Sequence, residues 1–497
     1  MKNKYIILNK SDNVAVALED IPAGTSVGAK NLSPFIIKQN ILRGHKFAIK
    51  NIFQNEKVIK YGNPIGYALS EIDQGEHIHI HNLKTLLKGA KEYTYTPDFE
   101  FPETVKNIPY FDGFIRQDGN VGIRNELWII PTVGCVNKIC EMLEKKFSSI
   151  LPKEVDGIYS FQHPYGCSQL GDDHSKTQTI LADLVKHPNA GGVLVVGLGC
   201  ENNTMDSFKN VIGDVDPDKV RYMIVQNVED ELTEGMEILE ELSKYACSFK
   251  REPTLVSKLK IGLKCGASDG LSGITANPLI GAFSDKLIAM GGTTVLTEVP
   301  EMFGAEEILM NRCQNEKVFN KCVKMVNSFK EYFIRYNQVV YENPSPGNKD
   351  GGITTLEDKS LGCTQKGGTS PVVDVLEYGD ILQTPGLNLL SGPGNDIVAV
   401  TALSASGAHM VLFTTGRGTP FGGPVPTLKI SSNSELAGYK KHWIDFDAGS
   451  LGSNNNIDKL SDDFLQYIID IASGKKLASN EKMGYREIAI FKDGVTL

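Results

Sequence analysis

The stretch GEHIHIHN, residues 75 to 82, sets His77, His79 and His81 at alternate positions in a chain that has only nine histidines. On a β-strand, side chains two apart leave the same face, so three imidazoles would stand in one row. Such a row can chelate zinc, iron, manganese or nickel, provided a ligand from elsewhere completes the coordination sphere. The same spacing also describes the polar face of an edge strand. Thiols form a second set. Cys135, Cys167, Cys200 and Cys265 each follow closely on an apolar run, and Cys363 lies in SLGCTQKGG, which reads as a further loop. Thiolates converging from separate loops would hold an iron–sulfur cluster or a soft metal, whereas the lack of any C-x-x-C spacing favours single buried cysteines. His163, four residues before Cys167, would be the base partner of a cysteine nucleophile. Three cationic segments complete the inventory. FTTGRGTPFGG, 413 to 423, presents Arg417 between two glycines, where its planar fork could clamp a carboxylate. NPSPGNKDGG, 343 to 352, reads as a rigid exposed loop in which Asn348 and Lys349 serve binding or the turn itself. RGHK, 43 to 46, is a basic turn carrying Arg43, His45 and Lys46, a pattern that alone reads as solvated surface.

These residues need elements to position them. Residues 1 to 92 alternate short β-like runs (NVAVALED, KFAIKNI, KVIKYG, HIHIHN) with glycine-containing turns, and read as a small all-β module. A Pro- and aromatic-rich stretch over 93–111 has no period of either kind and reads as a linker or strap. Beyond it, apolar β-branched runs alternate with helix-length segments, the pattern of an α/β part with mostly parallel, buried strands. A polar divide near 250–258 splits it into subdomains at 112–255 and 256–497. Each of seven runs ends in a glycine-bearing polar turn: LWIIPTV in GCVN, IYSFQ in HPYGCSQ, LVVG in LGCEN, IGLK in CGASDGLSG, VLTE in VPEMFG, LNLLS in GPGND and VLFTT in GRGTPFGG. Open α/β sheets bind ligands at the carboxyl ends of their strands, so these turns point to one continuous site there.

Bulk properties bound the function. At 497 residues and 41% hydrophobic the chain fills two to four domains. Its formal charge of −9 and the lack of basic runs exclude nucleic acid or an anionic membrane as the main partner. No signal-peptide core and no apolar stretch long enough to span a bilayer are present, which reads as a cytoplasmic protein with reduced thiols. GLGCEN is not a dinucleotide fingerprint and no phosphate-binding P-loop occurs.

Long runs then carry a resemblance: DNVAVAL, RGHKFA, VIKYGNPIGYAL, GEHIHIHN, DGNVGIRNELWIIPTVGCVN, YGCSQLGDDH, VGLGCENN, CGASDGLSGITANP, TEVPEMFGAE, NPSPGNK and TTGRGTPFGG. Together they make the sequence similar, end to end, to the altronate/galactarate (hexarate) dehydratase family. The resemblance implies a β-clip module of the SAF type followed by an α/β catalytic part. It also implies loss of water from a sugar acid, D-altronate giving 2-dehydro-3-deoxy-D-gluconate, activated by Fe2+ or a similar divalent ion such as Mn2+. Galactarate dehydration, and sulfo-lyase action on a sulfonated hydroxy acid, are the family's alternatives; a sugar-acid sensor is the non-enzymatic one, and a homodimer is the candidate assembly. The resemblance implies that galactarate-specific members lack the histidine row, which argues against it as the shared metal shell and for a part in substrate choice or a solvent-facing one, with His79 kept as its best single candidate ligand. Abstraction of a weakly acidic C2 proton demands a cation or metal beside the developing enediolate, for which Lys46, Lys349 and Arg417 are candidates. His45 or His163 would serve as acid or base. Arg124, Ser268, Asp269 and Asn348 are candidate substrate contacts, and Glu298 and Glu301 would hold the ion with His79. An iron–sulfur cluster on Cys135, Cys167, Cys200 and Cys265 is the alternative cofactor. The basic turn is expected to dock over the strand-end crevice, with His45 and Lys46 completing the site from above.

Overall fold

The computed structural model describes residues 4–29, 32–452 and 456–497. The N-terminal module is wholly antiparallel. One sheet runs Tyr5–Ile6, Val14–Ala17, Lys46–Ala48, His77–Ile78, and another pairs Lys57–Lys60 and Leu83–Lys84 with Asn63–Ala68. Val14, Ala48, Val58, Ile65 and Ile78 are buried inside, but this small core is not closed by the module alone. Ala305 and Leu361 of the α/β part pack into it. No strand or helix is assigned between Leu83–Lys84 and Tyr110–Ile115 among the described residues, and this connection is strapped to the α/β part: the Tyr93 hydroxyl donates to Glu306 at 2.6 Å.

The α/β part contains two parallel sheets. The first has the order Gly157–Ser160, Glu126–Pro131, Ala190–Gly197, Val220–Ile224. The second has seven strands in the order Val372–Leu376, Gly386–Leu390, Thr293–Leu296, Lys260–Cys265, Met410–Thr415, Thr427–Ser431, Phe446–Asp447. All seven apolar runs of the sequence are strands, because β-branched residues buried on both faces need a covering layer on each side, which only crossover helices supply. Arg251–Leu255, in the polar divide, returns as a strand against Tyr110–Ile115. No helix among the described residues is long and apolar enough to cross a membrane.

The basic turn docks onto the second sheet's strand-end loops. Gly44 meets Gly270, Gly351 and Gly352 so closely that a Cβ on Gly270 would lie 2.0 Å from the Gly44 carbonyl oxygen, and one on Gly352 2.4 Å from it. Behind the turn, Lys46 Nζ donates to Asp358 Oδ2 at 2.9 Å and to the Gly352 carbonyl at 3.0 Å, while Lys60 Nζ donates to Asp358 Oδ1 at 2.9 Å. All three side chains are buried. Burial alone would raise the Asp358 carboxyl, but the two ammonium groups hold it well below the usual carboxylate range. Asp358→Asn would strand two buried cations. A destabilisation of about 3–5 kcal/mol is expected, read as a lower denaturant midpoint with faster proteolysis in the 87–109 connection. An unchanged midpoint would contradict the role given to this carboxylate.

Candidate functional site

The site is organised by a short helix, Pro346–Asp350, where the sequence suggested an exposed loop. Ser345 caps it by accepting from the Asn348 amide, and the Asn348 side chain answers by accepting from the Ser345 amide. Asn348 is therefore buried, and its Nδ2 donates to the Ser268 carbonyl at 2.9 Å. Three predicted residues reach this helix from outside it. Arg417 Nη1 donates to the Gly347 carbonyl at 3.1 Å, with the rest of its guanidinium exposed. His79 Nε2 contacts the Lys349 carbonyl at 2.9 Å and His45 Nε2 the Asp350 carbonyl at 3.1 Å. Carbonyls only accept, so both Nε2 atoms carry hydrogen, and His45 Nδ1 then accepts from His77 Nε2 at 3.0 Å. No donor to His79 Nδ1 occurs among the described residues, and the ring stands in a stack whose centroid spacings are 5.4 Å to His45 and 5.5 Å to His77. The histidine row thus lines the junction between module and catalytic part.

Beneath the helix lies a buried lattice of charge. Lys359 Nζ pairs with Glu301 Oε1 at 2.8 Å and reaches Asn343 and Asn348 at 3.1 and 3.3 Å. Lys264 bridges Glu298 and Asp396, and Lys366 approaches Glu298 Oε2 at 3.2 Å. Glu298 sits in left-handed backbone at φ 71°, a conformation that costs energy outside glycine and here aims its carboxylate inward. Burial opposes ionisation of Glu301, but Lys359 and then Lys264 and Lys366 hold it well below the carboxylate range. Cys265 Sγ lies 3.1 Å from Cys363 Sγ and 3.3 Å from Glu301 Oε2, and Cys363 Sγ lies 3.1 Å from the same oxygen. Cys265, Glu301 and Cys363 can hold a metal ion, since their ligand atoms all lie within 4.8 Å of one another. Lys366 Nζ and Ser268 Oγ are buried without a hydrogen bond among the described residues. Buried polar atoms are rarely left so; Lys366 keeps its ion pair with Glu298, which leaves Ser268 Oγ as the unmet group beside the helix.

Several predicted roles do not survive the geometry. Arg124 is 1% exposed and spends its guanidinium on Glu481 and on the Ile123 and Ile471 carbonyls, so it fastens the C-terminal segment rather than a substrate. His163 belongs to the first sheet's loops, with Nε2 on the Pro131 carbonyl at 2.8 Å and Nδ1 accepting from the Tyr165 amide at 3.1 Å; burial pushes it down to about 4. Both nitrogens are committed, which leaves it neither base nor acid. Lys46 is occupied by Asp358. Asp269 accepts from Ser272, Ser432 and Asn433 and organises its own loop. His79 shares no coordination group with Glu298 or Glu301 among the described residues; the glutamate joins two thiols instead. The four-cysteine set also divides: Cys265 is buried with Cys363, while Cys135, Cys167 and Cys200 are exposed on the first sheet. The sequence reading missed Lys359 and Lys366. SLGCTQKGG is not a loop; Leu356–Cys363 is a helix continued by Thr364–Gly367. Lys359, Cys363 and Lys366 stand at i, i+4 and i+7, one helical face, and that spacing was the available signal.

Comparison with known proteins covers the chain in three consecutive pieces. Residues 3–86 match the altronate/galactarate dehydratase SAF domain. Residues 113–247 match the D-galactarate dehydratase/altronate hydrolase second domain, and 256–496 the D-galactarate/altronate dehydratase C-terminal domain. The chain is 56% identical over 496 residues to an altronate dehydratase of Escherichia coli, covering 99% of this chain and 100% of the relative. It is 54% identical to an altronate dehydratase of Bacillus subtilis, covering 99% of both chains. A galactarate dehydratase (L-threo-forming) of Escherichia coli is 32% identical, with 98% of this chain and 96% of that one covered.

The histidine junction has a pH signature. Burial, then the neighbouring imidazoles, push His77 down to about 3; burial also dominates at His79, pushed down to about 4 from an ordinary 6.5. Below 6.5 the unfolded chain takes up protons that the folded one refuses, so stability falls as pH drops from 6.5 towards 4. The double variant His77→Asn, His79→Asn is expected to show a shallower fall in Tm over that window, part of the slope remaining with the buried His163, His187 and His409. Equal slopes in the two proteins would refute the assignment.

Proposed function

Because the chain belongs to the D-galactarate/altronate dehydratase family, we propose that it is a hydro-lyase that converts D-altronate into 2-dehydro-3-deoxy-D-gluconate and water. The observation that carries the chemistry is the neutral imidazole of His79, anchored through Nε2 to the same short helix that carries Lys349 and receives Arg417. Arg417 and Lys349 bind the substrate carboxylate, and their positive charge favours the enediolate that forms as the C2 proton leaves. His79 Nδ1 takes that proton. Once charged, an imidazolium whose environment disfavours charge is a strong acid, and it returns the proton to the departing C3 hydroxyl, which leaves as water. Atoms balance with one group serving both transfers. His45, with both nitrogens occupied, positions the row, and Ser268 Oγ supplies an unspent hydrogen bond to a substrate hydroxyl.

The residues also fit a divalent ion. Lys264, Lys359 and Lys366 face the buried Glu298 and Glu301 and the partly exposed Asp396, so an added 2+ charge is compensated when Cys265 and Cys363 ionise. Two sulfurs and a carboxylate suit Fe2+ better than Mn2+, which prefers oxygen. When bound there, such an ion would supply Lewis-acid stabilisation of negative charge on the substrate. A cytoplasmic, reducing setting suits a chain whose nine cysteines are all free.

The test is turnover of D-altronate by the full-length protein, followed through the 2-keto product with semicarbazide. Faster turnover of galactarate than of altronate would overturn the substrate. Arg417→Lys keeps charge but loses the fork, and kcat/KM is expected to fall at least ~10-fold, about 1.4 kcal/mol. His79→Asn is expected to lower kcat roughly 100-fold or more with a small change in KM. A kcat near that of the unsubstituted protein would remove His79 from the chemistry.

A further inference from the structure

We propose that Cys135, Cys167 and Cys200 together ligate an iron–sulfur cluster on the rim of the first parallel sheet, at a site separate from the Cys265–Cys363 pair. Cysteine is among the residue types most often buried, and a structural cysteine belongs inside. Of the nine here, three are exposed, and they are these three. They are also not scattered. Glu126–Pro131 is flanked on one side by Gly157–Ser160 and on the other by Ala190–Gly197, all parallel, and one exposed cysteine follows the carboxyl end of each strand.

The three loops are tied to one another at the cysteines. The Gly134 amide donates to the Tyr165 carbonyl at 2.9 Å, next to Cys135 and near Cys167. A Cβ on Gly166 would lie 2.0 Å from the Thr132 carbonyl oxygen, so only glycine lets the Cys167 loop seat against the Cys135 loop. The Asn203 amide donates to the Gly166 carbonyl at 2.9 Å, and the Ser168 amide to Asn202 Oδ1 at 2.8 Å, joining the Cys167 and Cys200 loops. Gln226 Nε2 points at Cys200 Sγ from 3.7 Å, a donor suited to a sulfur that carries charge.

The spacing favours a cluster over a single ion. A mononuclear site needs its donors within one coordination sphere, and among the described residues the one group of three with ligand atoms inside 4.8 Å is Cys265, Glu301 and Cys363. Loops in contact whose thiols stay further apart suit a cofactor that offers a separate iron to each sulfur. On binding, each thiol loses its proton to solvent and forms one sulfur–iron bond; no electrons are exchanged. Three protein thiolates on a four-iron cluster leave one iron open to an oxygen ligand such as a hydroxyl, carboxylate or water. This assignment does not depend on the role given to His79.

Anaerobic reconstitution of the full-length protein with ferrous and ferric iron in equal amounts and sulfide equal to the total iron, which supplies a four-iron core with no further oxidant, tests it. The expected result is broad visible absorption with iron and acid-labile sulfide in equal amounts. C135S/C167S/C200S should lose both, whereas C265S/C363S should retain them, with circular dichroism confirming the fold of each. Should the triple variant fold poorly, the single serine variants at these exposed positions are each expected to lose most of the absorption. Uptake of iron or zinc without sulfide, a cluster that survives the triple substitution, or a cluster lost only in C265S/C363S would overturn the proposal. Altronate turnover measured on the cluster-free protein reports on the dehydratase reading independently.

Discussion

One buried carboxylate decides whether the site exists. Asp358 stands on a helix whose residues are all buried and receives an ammonium group from each of two strands of the N-terminal module. Two cations on one anion leave an excess positive charge away from water, which the Gly352 carbonyl at Lys46 only partly offsets. Such an arrangement is costly unless its geometry is held, and the glycine contacts of the 43–46 turn hold it. The consequence is positional: the Asp358 ion pairs hold the module where His45 and His79 reach the carbonyls of the Pro346–Asp350 helix. Sharing of core residues, with Ala305 and Leu361 inside the module, fixes the same docking by apolar burial.

The lattice under the helix follows a related logic with a different outcome. Three lysines face three carboxylates there, Glu298 and Glu301 buried and Asp396 partly exposed. A metal ion takes thiols as thiolates, so uptake by Cys265 and Cys363 would release their protons. The left-handed Glu298, and the buried Lys366 ammonium that is ion-paired with it at 3.2 Å but makes no hydrogen bond among the described residues, are local departures from good backbone and hydrogen-bond geometry. They sit beside the metal-capable group, where strain and unmet polarity are most often tolerated.

How much of this was legible follows from range. The seven strands were readable because β-branched runs ending in glycine turns are local signals, and the docking of the basic turn could be argued because RGHK had no purpose in an isolated module. What escaped was non-local. Cys265 and Cys363 are 98 residues apart and meet in space; no spacing rule links them. Lysines inside a helix ordinarily read as a solvated face, which hid Lys359 and Lys366, although their helical register with Cys363 was on display. Arg124 and His163 misled for the opposite reason. Functional residue types beside glycine turns look alike whether their hydrogen bonds are free or already spent, and only coordinates show that both are spent.

The cysteines show that residue type does not fix chemistry without environment. On the second sheet two thiols are sealed among ammonium groups and carboxylates, out of reach of solvent, where their charge state must answer to the lattice. On the first sheet three thiols stand in solvent on loops whose close contacts are made by backbone and amide side chains rather than by ion pairs. Glu201, the neighbour of Cys200, is a buried carboxylate held by the Thr132 hydroxyl and the Leu198 and Gly199 amides, with no ion pair among the described residues. Both rims lie where parallel α/β sheets place ligands, at the carboxyl ends of strands. The two rims therefore differ in character, one built from buried ion pairs around two thiols and the other from exposed thiols on loops joined by backbone and amide hydrogen bonds.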